Sequence, residues 1–459
     1  MSKETQTAAE GALVVDSDGT TSWWLPRVAA VAEVRLPVAD GVELAVDAAD
    51  PTLVLAWAAA PGAEIESLAG VFADAGLVDR VRALRGGGEQ VVVENAPTLT
   101  RPWVRMATVA AVRQCAVLPL HEGALLLDLA SATSGVGHAE AAAHVFGLAA
   151  PVLLALGEQC LAREIRGGAA TELVEIAQVA DAALAGTAWA DDVHALAARL
   201  REEVSEIPDV FAFDFAGAVR ADIDGPSVLM PVAVKTLEFV DPTLVPARIL
   251  AWRGAAEREL IIEVHDDHVV VSASLADGID DRTLEANQLL AYAARLEDGG
   301  LIASSPMTVH DHTVSAALPI VGGDQAVSFG IIHADGDFDD VRVDAVGRDL
   351  LRVDRQMVDA FGDQRAAVAE LHRTSLLDDQ TEALDASTRY IRAAKAAAGD
   401  ALTRLEERLD ASIDDVDVRE LIEARVAAVE AFEIRVERRA VSAGTEPLLA
   451  ELVSRSGAE

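Results

Sequence analysis

A chain of 459 residues that is 51% hydrophobic and 25% charged is globular in composition and longer than one core usually supports, so two to four domains are expected. Its formal net charge of −39, from 37 Lys+Arg against 76 Asp+Glu, repels phosphate and argues against nucleic-acid or anionic-membrane partners. The densest basic run, "RVERR" at 435–439, has Glu437 inside it and makes no counter-patch.

Two cysteines, Cys115 and Cys160, make no disulfide framework. The first residues also lack the cationic start and apolar core of a signal peptide, so a reduced, cytoplasmic protein of bacterial type is expected.

Residues 1–20 read as a polar, disordered tail. A mixed region follows over 21–206, in which "VELAVDA" and "QVVVENA" have strand character. "EIESLAGVFADAGLVDRVRAL" reads as one helix, with Ile65, Leu68, Val71, Phe72, Leu77 and Val81 on a shared face. From Arg101 the pattern is that of a helical bundle. Pro102 suits a first turn, Asp191 and Asp192 suit a helix start, and the longest apolar run, from Ala141, reads as a buried helix too short for a membrane span.

The period changes to two after Pro208, with Phe211, Phe213 and Phe215 on one strand face and Trp252 placed in a core. Short alternating runs joined by Asp/Gly turns over 207–343 predict a central antiparallel β-sandwich. "NQLLAYAARLED" interrupts them as either strand or short helix. From 344 to 459 the period is helical again, with a coiled-coil-like hairpin whose apolar stripes run Leu402, Leu405, Leu409, Ile413 and Leu421, Ala424, Ala428, Phe432. Asp417 and Glu420 have capping-box spacing, and Thr445 is placed to cap a short last helix. The fold class is therefore α+β, in three parts.

Three histidine clusters carry the candidate chemistry. His265 and His268 flank a polar hairpin tip and would point to opposite faces of an extended strand unless the turn brought them together. His310 and His312, two apart, would share a strand face, and with His333, Asp335 and Asp337 they could ligate a transition metal. The stretch from Asp335 fails the calcium-loop pattern, with Asp340 and Val346 where Gly and Glu are needed. In an acidic chain these groups read more simply as solvated turns.

Other signatures fall short. "HEGAL" at His121 has Leu125 where a zinc protease needs its second histidine. Gly135 and Gly137 lack the third glycine of a dinucleotide loop, Glu140 standing there instead. Lys3, Lys235 and Lys395, the only lysines, follow no glycine, so no phosphate-binding Gly-Lys loop exists. Cys115 and Cys160 lie in apolar helical contexts, and of the adjacent Trp23 and Trp24 one is expected in the core and the other free to anchor a partner.

No catalytic constellation is present. The expected function is a non-catalytic adaptor or scaffold that binds a protein partner or forms a homo-oligomer through the sandwich and the C-terminal helices, by way of Leu402, Leu405, Leu409, Leu421 and Phe432. The rival expectation is a metal-dependent enzyme or metal-binding protein using the histidine clusters, and a weaker one is a small-ligand-binding sandwich.

Overall fold

The computed structural model describes the chain except residues 1–9, 17, 26–32, 87–90, 116–119, 205–239, 242–243, 247–248, 252–259, 266–267, 277–278, 297–299, 320–326, 337, 339–340, 342–344, 375–380, 412–415, 439–440, 442 and 454–459. The expectations for Phe211, Phe213, Phe215, Trp252 and Ile413 lie outside the described residues. The chain is a mixed α+β protein with antiparallel sheets, divided into two compact units. One unit holds residues 1–208, 357–436 and 440–459, and the other holds 209–356 and 437–439.

The first unit begins with a six-stranded antiparallel sheet. Its strands are β1 (Glu10–Val15), β2 (Thr21–Trp24), β3 (Glu33–Ala39), β4 (Val42–Asp47), β5 (Asp50–Ala59) and β6 (Val91–Asn95), in the order β3-β4-β5-β2-β1-β6. β1 occupies residues expected to be a disordered tail. The apolar run from Ala12 to Val15 pairs with β2 and β6 and buries Leu13, and Asp18 holds the turn to β2 by accepting from the Thr20 N–H at 2.8 Å.

Register puts Leu36, Leu44, Trp57, Trp23 and Leu13 in one line across five strands, and all five are buried. Trp23 lies so close over Gly11 that a Cβ there would sit 2.4 Å from its ring, so only glycine fits beneath the indole. Trp24, on the opposite face, is 41% exposed.

The expected long helix is broken into a 3-10 turn, Ile65–Gly70, and α1 (Leu77–Arg85). Between the two pieces Asp74 turns the chain into α1 by accepting from the Gly76 N–H at 2.9 Å. The apolar face is as expected, since Ile65, Leu68, Val71, Phe72, Leu77 and Val81 are all buried. Arg85 ties α1 to the sheet through Thr21 Oγ1 at 2.8 Å and the carbonyls of Ala59 and Ala60.

Five helices follow: α2 (Arg101–Cys115), α3 (Glu122–Gly135), α4 (Ala139–Leu161), α5 (Gly168–Ala183) and α6 (Ala190–Val204). They share one aliphatic core with the C-terminal residues Leu448, Leu449, Ala450, Leu452 and Val453. Gly137 (φ 91°) ends α3 in the left-handed conformation that favours glycine, which is its role in the near-miss dinucleotide motif. His121, from the near-miss protease motif, caps α3: its Nδ1 accepts from the Ala124 N–H at 3.1 Å.

The second unit carries two antiparallel sheets. One is β11-β12-β8-β7, from β7 (Ile261–Val264), β8 (His268–Ser274), β11 (Thr308–His310) and β12 (Thr313–Pro319). The other is β10-β9-β13, from β9 (Leu289–Arg295), β10 (Leu301–Pro306) and β13 (Val327–His333). The ambiguous "NQLLAYAARLED" supplies β9, a central strand, because Leu289, Ala291 and Ala293 face the cluster that Val271, Val314 and Ile331 also line.

α7 (Ala345–Thr374) contributes residues to both units, α8 (Thr381–Ala411) and α10 (Leu449–Val453) belong to the first, and so does α9 (Val416–Arg438) up to Val436. The buried stripe of α8 is mostly alanine: Ala383, Ala386, Ser387, Ala394, Ala398, Ala401 and Leu405. That of α9 is Ile422, Arg425, Val429, Phe432 and Val436, one residue on from the expected line except at Phe432. α9 begins at Val416, which makes Asp417 its second residue and Glu420 its fifth, so Asp417 does not stand at the cap position expected for it.

Candidate functional site

The most concentrated ionic chemistry in the first unit surrounds the C-terminal segment that ends in α10. A lone carboxylate, Asp128, lies within the apolar run of α3 and is fully buried. Its Oδ1 accepts from the Leu449 N–H at 3.0 Å and its Oδ2 from the Ala450 N–H at 2.9 Å, so a side chain 321 residues away caps α10. Thr445, the expected cap, lies four residues before the helix begins.

Two arginines close around this segment. From α2, Arg105 binds the Glu172 carboxylate of α5, lies 3.6 Å from Asp128, and donates to the Glu446 carbonyl at 2.6 Å. From α7, Arg365 binds Glu451 through both Nε and Nη2, and donates to the carbonyls of Thr445 and Glu446. Glu451 in turn accepts from the Leu448 N–H at 2.7 Å. The Gly444 N–H donates to Glu446 Oε2 at 2.7 Å, and a Cβ on Gly444 (φ 94°) would sit 2.9 Å from the Val104 side chain. Two guanidinium groups thus face four carboxylates.

Burial sets the acid–base character of the cluster. It pushes Asp128 up to about 6 against the pull of Arg105 and its two N–H donors. It likewise pushes Glu172 up to about 7, with Arg105 opposing and Asp128 adding repulsion. For Arg105 burial works against the charge, but Glu172 and Asp128 outweigh it and hold the guanidinium above its ordinary value. His372, whose carbonyl would meet a Cβ on Gly168, is lowered by burial and by Arg365.

A second buried carboxylate, Asp47, lies at the β4–β5 turn and is raised to about 7 by burial and by Asp50, against the Ala49 N–H, Arg435 and Arg425. Arg435 of α9 reaches Asp50 at 3.0 Å. Both clusters join segments far apart in sequence and hold backbone polar groups. They are geometrically suited to fastening the chain.

The sign of their pH dependence follows. Burial holds Asp128 and Glu172 above the ordinary carboxylate range, so their contribution is complete below that range and is lost as pH rises through about 6 and about 7. Asp47 acts in the same direction. The urea midpoint is expected to fall between about pH 5 and about pH 8, and the pair Asp128→Asn with Glu172→Gln to flatten that slope. A midpoint that rises over this range would contradict the assignment.

The expected metal residues are placed as follows. His310 ends β11 and pairs across the hairpin with Thr313, while Asp311 and His312 form its two-residue turn with φ of 44° and 60°. The turn therefore separates His310 from His312, which do not share a strand face. His333 ends β13 in the other sheet, and its Nδ1 accepts from the Asp335 N–H at 3.3 Å. Asp337 lies outside the described residues. Among the described residues no group of three or more His, Cys, Asp or Glu side chains is placed to hold a metal ion.

Of the expected interaction residues, Leu405 and Phe432 are buried within the chain, so they present nothing to a partner, and Leu402, Leu409 and Leu421 are half-buried. Cys160 is buried, and burial together with Glu203 pushes its thiol up to about 11, away from nucleophilic use.

The outward face of α4 was missed in the sequence. This helix is long and apolar enough to cross a membrane, yet only 33% of its most apolar window is buried. Ala142, Phe146, Ala149, Leu153 and Leu156 pack into the helical core. Ala141, His144, Leu148, Pro151 and Ala155 are exposed instead, in steps of three and four, with Leu148 at 65%. The signal was in the run itself, which is apolar on every side. α3 packs against α4 with Gly123 so close to Val152 that a Cβ there would sit 2.7 Å from its side chain, and Leu126 of α3 is 43% exposed.

No protein-family model matches this chain, and neither a curated protein nor a solved structure does.

Proposed function

We propose that the chain is a non-catalytic cytosolic scaffold that self-associates, a second copy docking on the outward face of α4. The exposure of Leu148 at the centre of an uncharged helical face carries this reading. Between Glu140 and Glu158 no carboxylate, lysine or arginine occurs. On a chain of net charge −39, two copies can approach there without burying like charges.

The face is also self-complementary. Ala141 and Ala155 lie seven residues either side of Leu148, so an antiparallel two-fold crossing sets each alanine against its opposite number and the leucines together. Small residues at both ends let the helices close on the central pair.

The two sheets of the second unit share one apolar cluster, which we read as a β-sandwich. Ala369 of α7 and the α10 residues join the helical core. A Leu148→Cys variant is expected to form a symmetric disulfide under mild oxidation, since a two-fold brings position 148 within bridging reach of its copy. Non-reducing electrophoresis giving only monomer, as for the unsubstituted chain, would contradict the crossing.

A further inference from the structure

The β7–β8 hairpin does what an extended strand cannot. His265 N–H donates to the His268 carbonyl at 2.9 Å, so the two histidines form a cross-strand pair beside the turn. Their rings stack with centroids 4.6 Å apart and planes 16° apart. Glu263, two residues back and therefore on the same face, places Oε2 3.9 Å from His265 Nε2. By register along β8 and β12, Pro319 stands directly beside His268 on that face, with Val270, Ala317 and Ser272 beyond. His265 and Glu263 are exposed.

We propose that His265 and His268 form a solvent-open site for a divalent transition-metal ion, with Glu263 beside it offsetting the added charge. Neutral imidazole is the ligand that zinc, copper and nickel share. Cross-strand Cβ atoms lie about 4.5–5.5 Å apart, so rotation about the side-chain bonds of exposed His265 and half-buried His268 aims a nitrogen of each at one ion without moving the backbone. Hairpin pairing has already fixed the two Cα positions relative to each other, which lowers the ordering cost of chelation. Water fills the remaining positions, so the ion exchanges freely. The net charge of −39 raises the local cation concentration. The His310 hairpin offers no such pair, because His312 is in its turn.

The inference is independent of self-association. The test is calorimetric titration of the untagged full-length chain with Zn²⁺ and with Cu²⁺, in excess Mg²⁺ to occupy carboxylate sites, with electron paramagnetic resonance of the Cu²⁺ form. One ion per chain and a two-nitrogen spectrum are expected. His265→Ala and His268→Ala should each weaken binding by at least the roughly 10-fold that a lost outer-shell partner costs, and the double variant should abolish it. His310→Ala should change nothing, and circular dichroism should show every variant folded. Absence of binding by the unsubstituted chain, an oxygen-only spectrum, or binding retained by the double variant would overturn the proposal.

Discussion

Replacing Arg365 with alanine is expected to lower stability by about 3–5 kcal/mol, the cost of breaking a buried ion pair from one side. Arg365 and Glu451 side chains are only 10% and 7% exposed, so the carboxylate would be left desolvated with no cation. The carbonyls of Thr445 and Glu446 would lose a donor in the same step. Pairing Arg365→Ala with Glu451→Gln should recover part of the loss, because the uncompensated charge is gone. Arg101→Ala breaks the exposed pair with Glu446 and should cost within about 0.5 kcal/mol. Urea unfolding measures all three, and limited proteolysis of Arg365→Ala should cut first near 443–453. An Arg365→Ala midpoint equal to that of Arg101→Ala would refute the fastening role.

The second large effect is on assembly. Leu148→Asp should leave the fold intact, since the side chain is solvent-facing in one copy, and should abolish self-association. A two-fold contact would bury two facing carboxylates, each costing several kcal/mol when unpaired. At about 1.4 kcal/mol per tenfold, the dissociation constant rises by more than roughly 1000-fold. Leu153→Ala is the converse variant: fully buried in α4, it should cost about 2–5 kcal/mol of stability and spare the outward face.

What was legible in the sequence was local. The stripe from Ile65 to Val81 was correct in its buried face because burial follows periodicity, even though Asp74 and Gly76 break the helix. β1 was hidden because a short apolar run near a terminus carries little pattern, although "DSDG" followed by "TSWW" signalled a hairpin.

The network around α10 was invisible for a different reason. An acid in the middle of "ALLLDLASA" marks Asp128 as unusual, but nothing near it names Leu449 and Ala450 as its partners. In the same way His265 and His268 meet only once the turn reverses the strand. In α8 leucine marks burial only at Leu405, because the rest of the buried stripe is alanine, which carries little pattern in an alanine-rich helix.

Native mass spectrometry of the untagged chain and of Leu148→Asp, over a dilution series at moderate salt, tests self-association most directly. The account predicts a species at twice 48.1 kDa that dissociates on dilution, and a Leu148→Asp chain that stays at 48.1 kDa throughout. A monomeric unsubstituted chain at every concentration, or a dimer that survives Leu148→Asp, would contradict it.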